Sequence, residues 1–199
     1  VALGVPLAWW LTRGDGLSGW IRPVVTAPLV LPPTVAGLAL LALMGRRGVL
    51  GNWIYQSTGW SLPFSTGAVV VAGVFVGMPF LVMTMEAAFA QLDDEIMNAA
   101  EVDGAGPLRV LWDVALPQVN KAVVTGGVLA WARALGEFGA TLTFAGSLPG
   151  VTRTLPMQVY VAMDSDPTAA YAMGGVLVAI SVVVLAALRT SASLAIARR

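Results

Sequence analysis

NAAEVDGAGPLRVLWDVALPQ, residues 98–118, is a polar, glycine-containing island between two long apolar stretches. It closes an acidic region: Glu86, Asp93, Asp94, Glu95, Glu101, Asp103 and Asp113 fall there, with Arg109 the only base among them. Phe89, Leu92, Ile96 and Ala99/Ala100 recur at helical spacing, which predicts one helix running toward Gly104. Gly104 and Gly106 break it, and Pro107 suits the first turn of a second helix with Val110, Leu111 and Val114 on its apolar face. Pro117 is placed to open the next apolar span. The tip between the helices (Ala99, Ala100, Gly104, Ala105, Gly106) is small and flat, which suits insertion into a groove on another protein. A plain solvated loop is the alternative.

The surroundings set the class. Of 199 residues, 57% are hydrophobic and 11% charged, and the mean hydropathy is +0.81. Soluble domains carry about 25% charged residues. One core of this size cannot bury such an apolar excess, so the chain reads as an all-α, polytopic membrane protein. Cysteine and histidine are both absent, which excludes a zinc site of those ligands and a Cys/His or Ser-His-Asp centre within this chain. Zero net charge argues against nucleic acid as a partner.

Charges mark the expected spans. Residues 1–11 look like the tail of a helix ending at Arg13, so the chain is expected to begin inside a span, with sequence missing upstream. Residues 23–45, 65–85, 122–146 and 172–188 are each apolar over a length that can cross about 30 Å of hydrocarbon. That gives about five transmembrane helices, the first partial, within a single transmembrane domain over residues 1–199. Lysine and arginine set the orientation. A cytoplasmic loop after Arg13 places Arg13, Arg22, Arg109, Lys121, Arg189, Arg198 and Arg199 inside, against Arg46, Arg47 and Arg153 outside. Residues 98–118 are then cytoplasmic. Trp53, Tyr55, Trp60 and Phe64, on the outer loop at 46–64, read as interfacial anchors.

Two features lie within the spans. In PLVLPPTVAGLAL, residues 28–40, Pro28, Pro32 and Pro33 remove backbone donors. Such breaks are tolerated at membrane depth where the backbone lines a cavity or is buried in protein. This is either a kinked helix or the lining of a pathway, with Pro32, Pro33 and Thr34 at its centre. In ARALGEFGATLTFAG, residues 132–146, Arg133 and Glu137 stand i,i+4 in an apolar run. They can neutralise one another, as a structural ion pair or with Arg133 as an anion contact. Gly136, Gly139 and Ala140 allow close helix approach, beside Phe138 and Thr141.

The island resembles the cytoplasmic motif of ABC-transporter permeases, EAA-x3-G-x9-I-x-LP. The match runs Asn98-Ala99-Ala100, Gly104, Val114, Leu116-Pro117, with Asn98 in place of Glu and Val114 in place of Ile. The literal Glu86-Ala87-Ala88 does not fit, because Leu92 stands where glycine is required. Residues 133–160, RALGEFGATLTFAGSLPGVTRTLPMQVY, together with 28–41, are similar to the molybdate/tungstate branch of ABC importer permeases. The sulfate/thiosulfate branch is the alternative. The resemblance implies a type I importer permease fold with six helices in the full subunit. It implies a homodimer whose central helices line a gated path, with Pro32, Pro33, Thr34, Glu137, Phe138 and Thr141 on it. Residues 98–118 would be the coupling helix, docking into a cytoplasmic ATPase through Asn98, Ala99, Ala100, Gly104, Ala105, Val114, Leu116 and Pro117. An extracytoplasmic oxyanion-binding protein would deliver substrate to the cell membrane. No enzymatic activity, metal or cofactor is implied. The chain has no glycine-rich phosphate loop ending in Lys-Ser or Lys-Thr, and Lys121 is its only lysine. An intramembrane enzyme would have only Arg133 and Glu137 to work with. A mere scaffold would leave the proline- and glycine-broken spans without purpose.

Overall fold

The computed structural model describes residues 1–14 and 16–196, with side chains as far as Ala187. Arg198 and Arg199, which entered the charge count, lie outside the described residues, as does the side chain of Arg189. Every regular element among the described residues is a helix.

The chain divides into two compact units. The first comprises Val1–Val30 and Gly77–Trp131. It contains α1 (Gly4–Arg13), α2 (Leu17–Thr26) with the 3-10 turn Ala27–Leu29, and the C-terminal half of α5 (Thr66–Phe89). Then follow α6 (Asp94–Val102), α7 (Pro107–Arg109), a π-helix (Val110–Ala115), α8 (Leu116–Gln118) and most of α9 (Asn120–Leu135). Its core joins Val5, Trp9 and Leu11 of α1 to Leu81, Met85 and Phe89 of α5, and to Met97, Val110 and Leu111 of the polar island. Glycine lets α5 and α9 approach: a Cβ at Gly77 would stand 2.6 Å from the Ala130 carbonyl oxygen.

The second unit comprises Leu31–Val76 and the chain from Ala132 onward. It holds α3 (Pro33–Met44), α4 (Val49–Thr58), the N-terminal half of α5, α10 (Gly139–Ala145), α11 (Leu155–Ser165) and α12 (Pro167–Ile196). Leu40, Ala68, Ala72, Phe144 and Ala145 form one buried cluster, and Ala36, Val76 and Ala140 a smaller one.

Among the described residues, two helices are long and apolar enough to cross a membrane, Thr66–Phe89 and Pro167–Ala187, as expected from residues 65–85 and 172–188. α3 and α4, bent by 45° at a short break, pass the same test together, as a broken span or a re-entrant loop. The expected outer loop at 46–64 therefore carries a helix, closed by Gly59 at φ +70.

Three segments expected as continuous helices are broken. The first is 23–45. Pro32 is extended (φ −54, ψ 136) and α3 starts afresh at Pro33. A residue that precedes proline is pushed out of the helical region, and two such residues in a row stop the helix, whereas proline fits the first turn of the next. The second is 122–146, where α9 ends at Leu135 and α10 begins at Gly139. The third is the helix predicted from Phe89 to Gly104. α5 ends at Phe89, and Asp93 caps a new helix by accepting the Glu95 N–H at 2.9 Å. The break resets the phase, so Met97 is buried and Ile96 exposed. Pro117, expected to open the next span, instead lies in α8, and α9 begins at Asn120.

Candidate functional site

The polar island folds as a hairpin of short helices in the first unit. Gly104 has φ +88, a conformation L side chains resist, and nothing lies within 4 Å of its missing Cβ. Glycine is needed there by the turn itself. The motif residues divide by burial. Asn98, Ala99, Gly104 and Pro117 are exposed, whereas Ala100, Ala105, Val114 and Leu116 are half-buried and pack on the unit's core. Only the first group is open to a partner, so the small-residue tip serves internal packing as well as any docking.

Val110 and Leu111 are fully buried, as their spacing predicts, but their helix is a π-helix. The Leu116 N–H donates to the Leu111 carbonyl, five residues back. Pro117 supplies a physical reason: its ring would clash with the carbonyl four residues upstream, and a wider turn relieves the clash. The sequence reading missed three exposed apolar side chains beside the motif: Val102, Leu108 (68% exposed) and Trp112 (51%). A hydrophobic residue left out of the apolar phase of its own helix was the available signal.

The acidic run is largely engaged. Glu101 pairs with Arg13 at 2.7 Å, Glu86 with Arg22 at 2.7 Å, and Asp113 with Arg109 at 3.5 Å. Asp93 is the α6 cap. A groove of about 620 Å³ runs beside α1 and α6, and Asn98, Glu101, Arg13 and Trp10 are among its lining.

In the second unit the two broken helices meet. A Cβ on Gly37 of α3 would stand 2.6 Å from the Ala140 carbonyl oxygen, and one on Gly139 of α10 would stand 2.7 Å from the Pro33 Cβ. The predicted small-residue approach is real, and it joins segments a hundred residues apart in sequence. Gly136, also offered for close packing, has open space around its missing Cβ.

Arg133 and Glu137 pair as predicted, Nη1 to Oε2 at 2.8 Å. Glu137 is 3% exposed, and its other carboxylate oxygen accepts the Ala140 N–H at 2.8 Å. Glu137 therefore bridges the last turn of α9 and the N-terminus of α10, where backbone donors lack partners and negative charge is favoured. Phe138 stands at the break, its ring 5.2 Å from that of Tyr160. Pro32, Pro33 and Thr34 are exposed, whereas Thr141 is 2% exposed. The Thr143 hydroxyl donates to the Gly139 carbonyl.

A polytopic helical subunit, with apolar helices broken in one unit and a polar helical hairpin in the other, fits the architecture of a transport permease. The chain belongs to the family of binding-protein-dependent transport system inner membrane components, whose model matches residues 1–197. It is a multi-pass transporter subunit and not an enzyme. It is 48% identical over 186 residues to the molybdenum transport system permease protein ModB of Mycobacterium tuberculosis, covering 93% of this chain and 70% of that one. It is 38% identical over 190 residues to the putative molybdenum transport system permease protein YvgM of Bacillus subtilis, covering 93% and 82%. Its fold is similar to a chain in the crystal structure of a bacterial alginate ABC transporter in complex with its pentasaccharide-bound periplasmic protein. That match has a TM-score of 0.67 at 15% identity, covering 93% of this chain and 69% of that one.

Proposed function

We propose that this chain is the membrane-spanning subunit of an ATP-driven importer that carries molybdate or tungstate across the cytoplasmic membrane. The observation that carries this reading is the identity of 48% over nearly the whole chain with a permease named for molybdenum transport. Residues 98–118 are the docking segment for a separate ATPase, with Asn98, Ala99, Gly104 and Pro117 exposed to it and Ala100, Ala105, Val114 and Leu116 holding its shape. The broken helices α3 and α10, with Pro32, Pro33, Thr34, Glu137, Phe138 and Thr141, border the path. Arg133 is held by Glu137 and serves structure. A second copy of the chain completes the path, residues 1–199 act as one permease domain, and an extracytoplasmic oxyanion-binding protein supplies the ion.

The test is uptake into vesicles holding permease, ATPase and binding protein. Labelled molybdate should enter with ATP, tungstate should compete at comparable concentration, and sulfate should compete poorly. Equal carriage of sulfate would make this a sulfate importer, and no oxyanion uptake would refute the reading.

A further inference from the structure

α6 carries Asn98, Ala99 and Ala100 of the docking segment, and one charge-assisted contact ties it to α1. Arg13, in the last turn of α1, donates from Nη1 to Glu101 Oε1 at 2.7 Å. The same guanidinium lies over the Trp9 ring at 4.6 Å, and Trp9 meets Phe89 edge-on at 5.0 Å. A continuous chain of contacts thus runs from Glu101 through Arg13 and Trp9 to the end of α5, all within the first unit. Trp9 and Phe89 are buried, so the inner end of this chain is fixed, and only its outer member belongs to the polar hairpin.

The energetics separate a positioning role from a stabilising one. The Arg13 and Glu101 side chains are 29% and 49% exposed, and pairs so accessible add little to stability. The hairpin already has Met97, Val110 and Leu111 to hold it on the core. Orientation is another matter, because a guanidinium held on a ring face and bonded to a carboxylate fixes direction as well as distance. Asn98 lines the same groove as Glu101 and Arg13, one turn away on the same helix. Glu101, not residue 98, supplies the negative charge that meets Arg13.

We infer that Arg13 and Glu101 are positioning residues: a latch that fixes the docking helix on α1, so that movement imposed at the hairpin by the ATPase reaches the membrane helices. This rests on the reading of 98–118 as the docking segment. The experiment uses the whole transporter in proteoliposomes. It measures co-purification of the ATPase, the melting temperature of the permease, and ATP hydrolysis with and without molybdate-loaded binding protein. Arg13→Gln and Glu101→Gln should retain the ATPase and the melting temperature but lose about fivefold or more of the stimulation. The exchange Arg13→Glu/Glu101→Arg should restore most of it. Wild-type stimulation in both single variants would overturn the latch and leave the docking reading intact. Loss of assembly in the single variants without rescue by the exchange would assign the pair to folding and also overturn it. Failure of the wild-type chain to bind any ATPase would refute the docking reading, and the latch with it.

Discussion

Glu137 carries two duties at one position. It neutralises Arg133 and accepts the Ala140 N–H in the first turn of α10. The single variants should therefore differ. Arg133→Leu strands a buried carboxylate, at about 3 kcal/mol. Glu137→Leu strands the guanidinium and also leaves the Ala140 N–H without its acceptor, so it should be worse. The double variant Arg133→Leu/Glu137→Gln removes both charges and keeps an acceptor, and it should be more stable than either, as read by folded yield and thermal inactivation in detergent. A double variant no better than Glu137→Leu would refute the pairing. Gly139 offers a second test. Alanine there drives a Cβ into the rigid Pro33 ring and should cost about 1–3 kcal/mol, whereas Gly136→Ala meets open space and should be near neutral. Equal melting temperatures for the two variants would contradict the close packing of α3 on α10.

The elements show what a sequence can and cannot disclose. The continuous spans α5 and α12 were legible because their charge-free length exceeds the hydrocarbon thickness. The spans at 23–45 and 122–146 were not, because hydropathy does not register a turn. The breaks lie at Pro32 and around Gly136–Phe138, where local backbone chemistry overrides an apolar run. The motif spacing at 98–118 located the hairpin correctly, but it could not say which small residues face inward. Ala100 and Ala105 do, and Gly104 is required by its positive φ. Gly104→Ala should thus lose about 1 kcal/mol of stability through strain alone, whereas Gly106→Ala, at φ −69, should not. A docking test has to use residues the fold can spare. Leu108→Asp and Trp112→Ala should leave the melting temperature unchanged and weaken ATPase co-purification by about tenfold, as expected of an exposed aromatic and its neighbour at an interface centre. Unaltered co-purification in both would place the contact elsewhere on the hairpin.

At the scale of the whole molecule the question is where ion choice resides. A doubly charged oxyanion needs several fixed donors for tight binding, but conduction also needs release. The candidate donors on the broken helices are mostly committed. Arg133 is bound to Glu137, the Thr143 hydroxyl to the Gly139 carbonyl, and Thr141 is buried. Thr34 remains exposed, at the first turn of α3. One hydroxyl beside a backbone break can pass an anion but cannot distinguish molybdate from sulfate, whose charge and tetrahedral shape are the same. Selection then falls to the binding protein. Thr34→Val should slow molybdate uptake at saturating binding protein, by about threefold if one charge-assisted hydrogen bond of the usual strength is lost part of the time. It should leave the molybdate-to-sulfate preference unchanged. The measurement is competitive uptake in the reconstituted transporter, with the two ions presented by the same binding protein. A shift of the preference in Thr34→Val, with the binding protein's own affinities unaltered, would place selectivity in the membrane subunit and contradict this account.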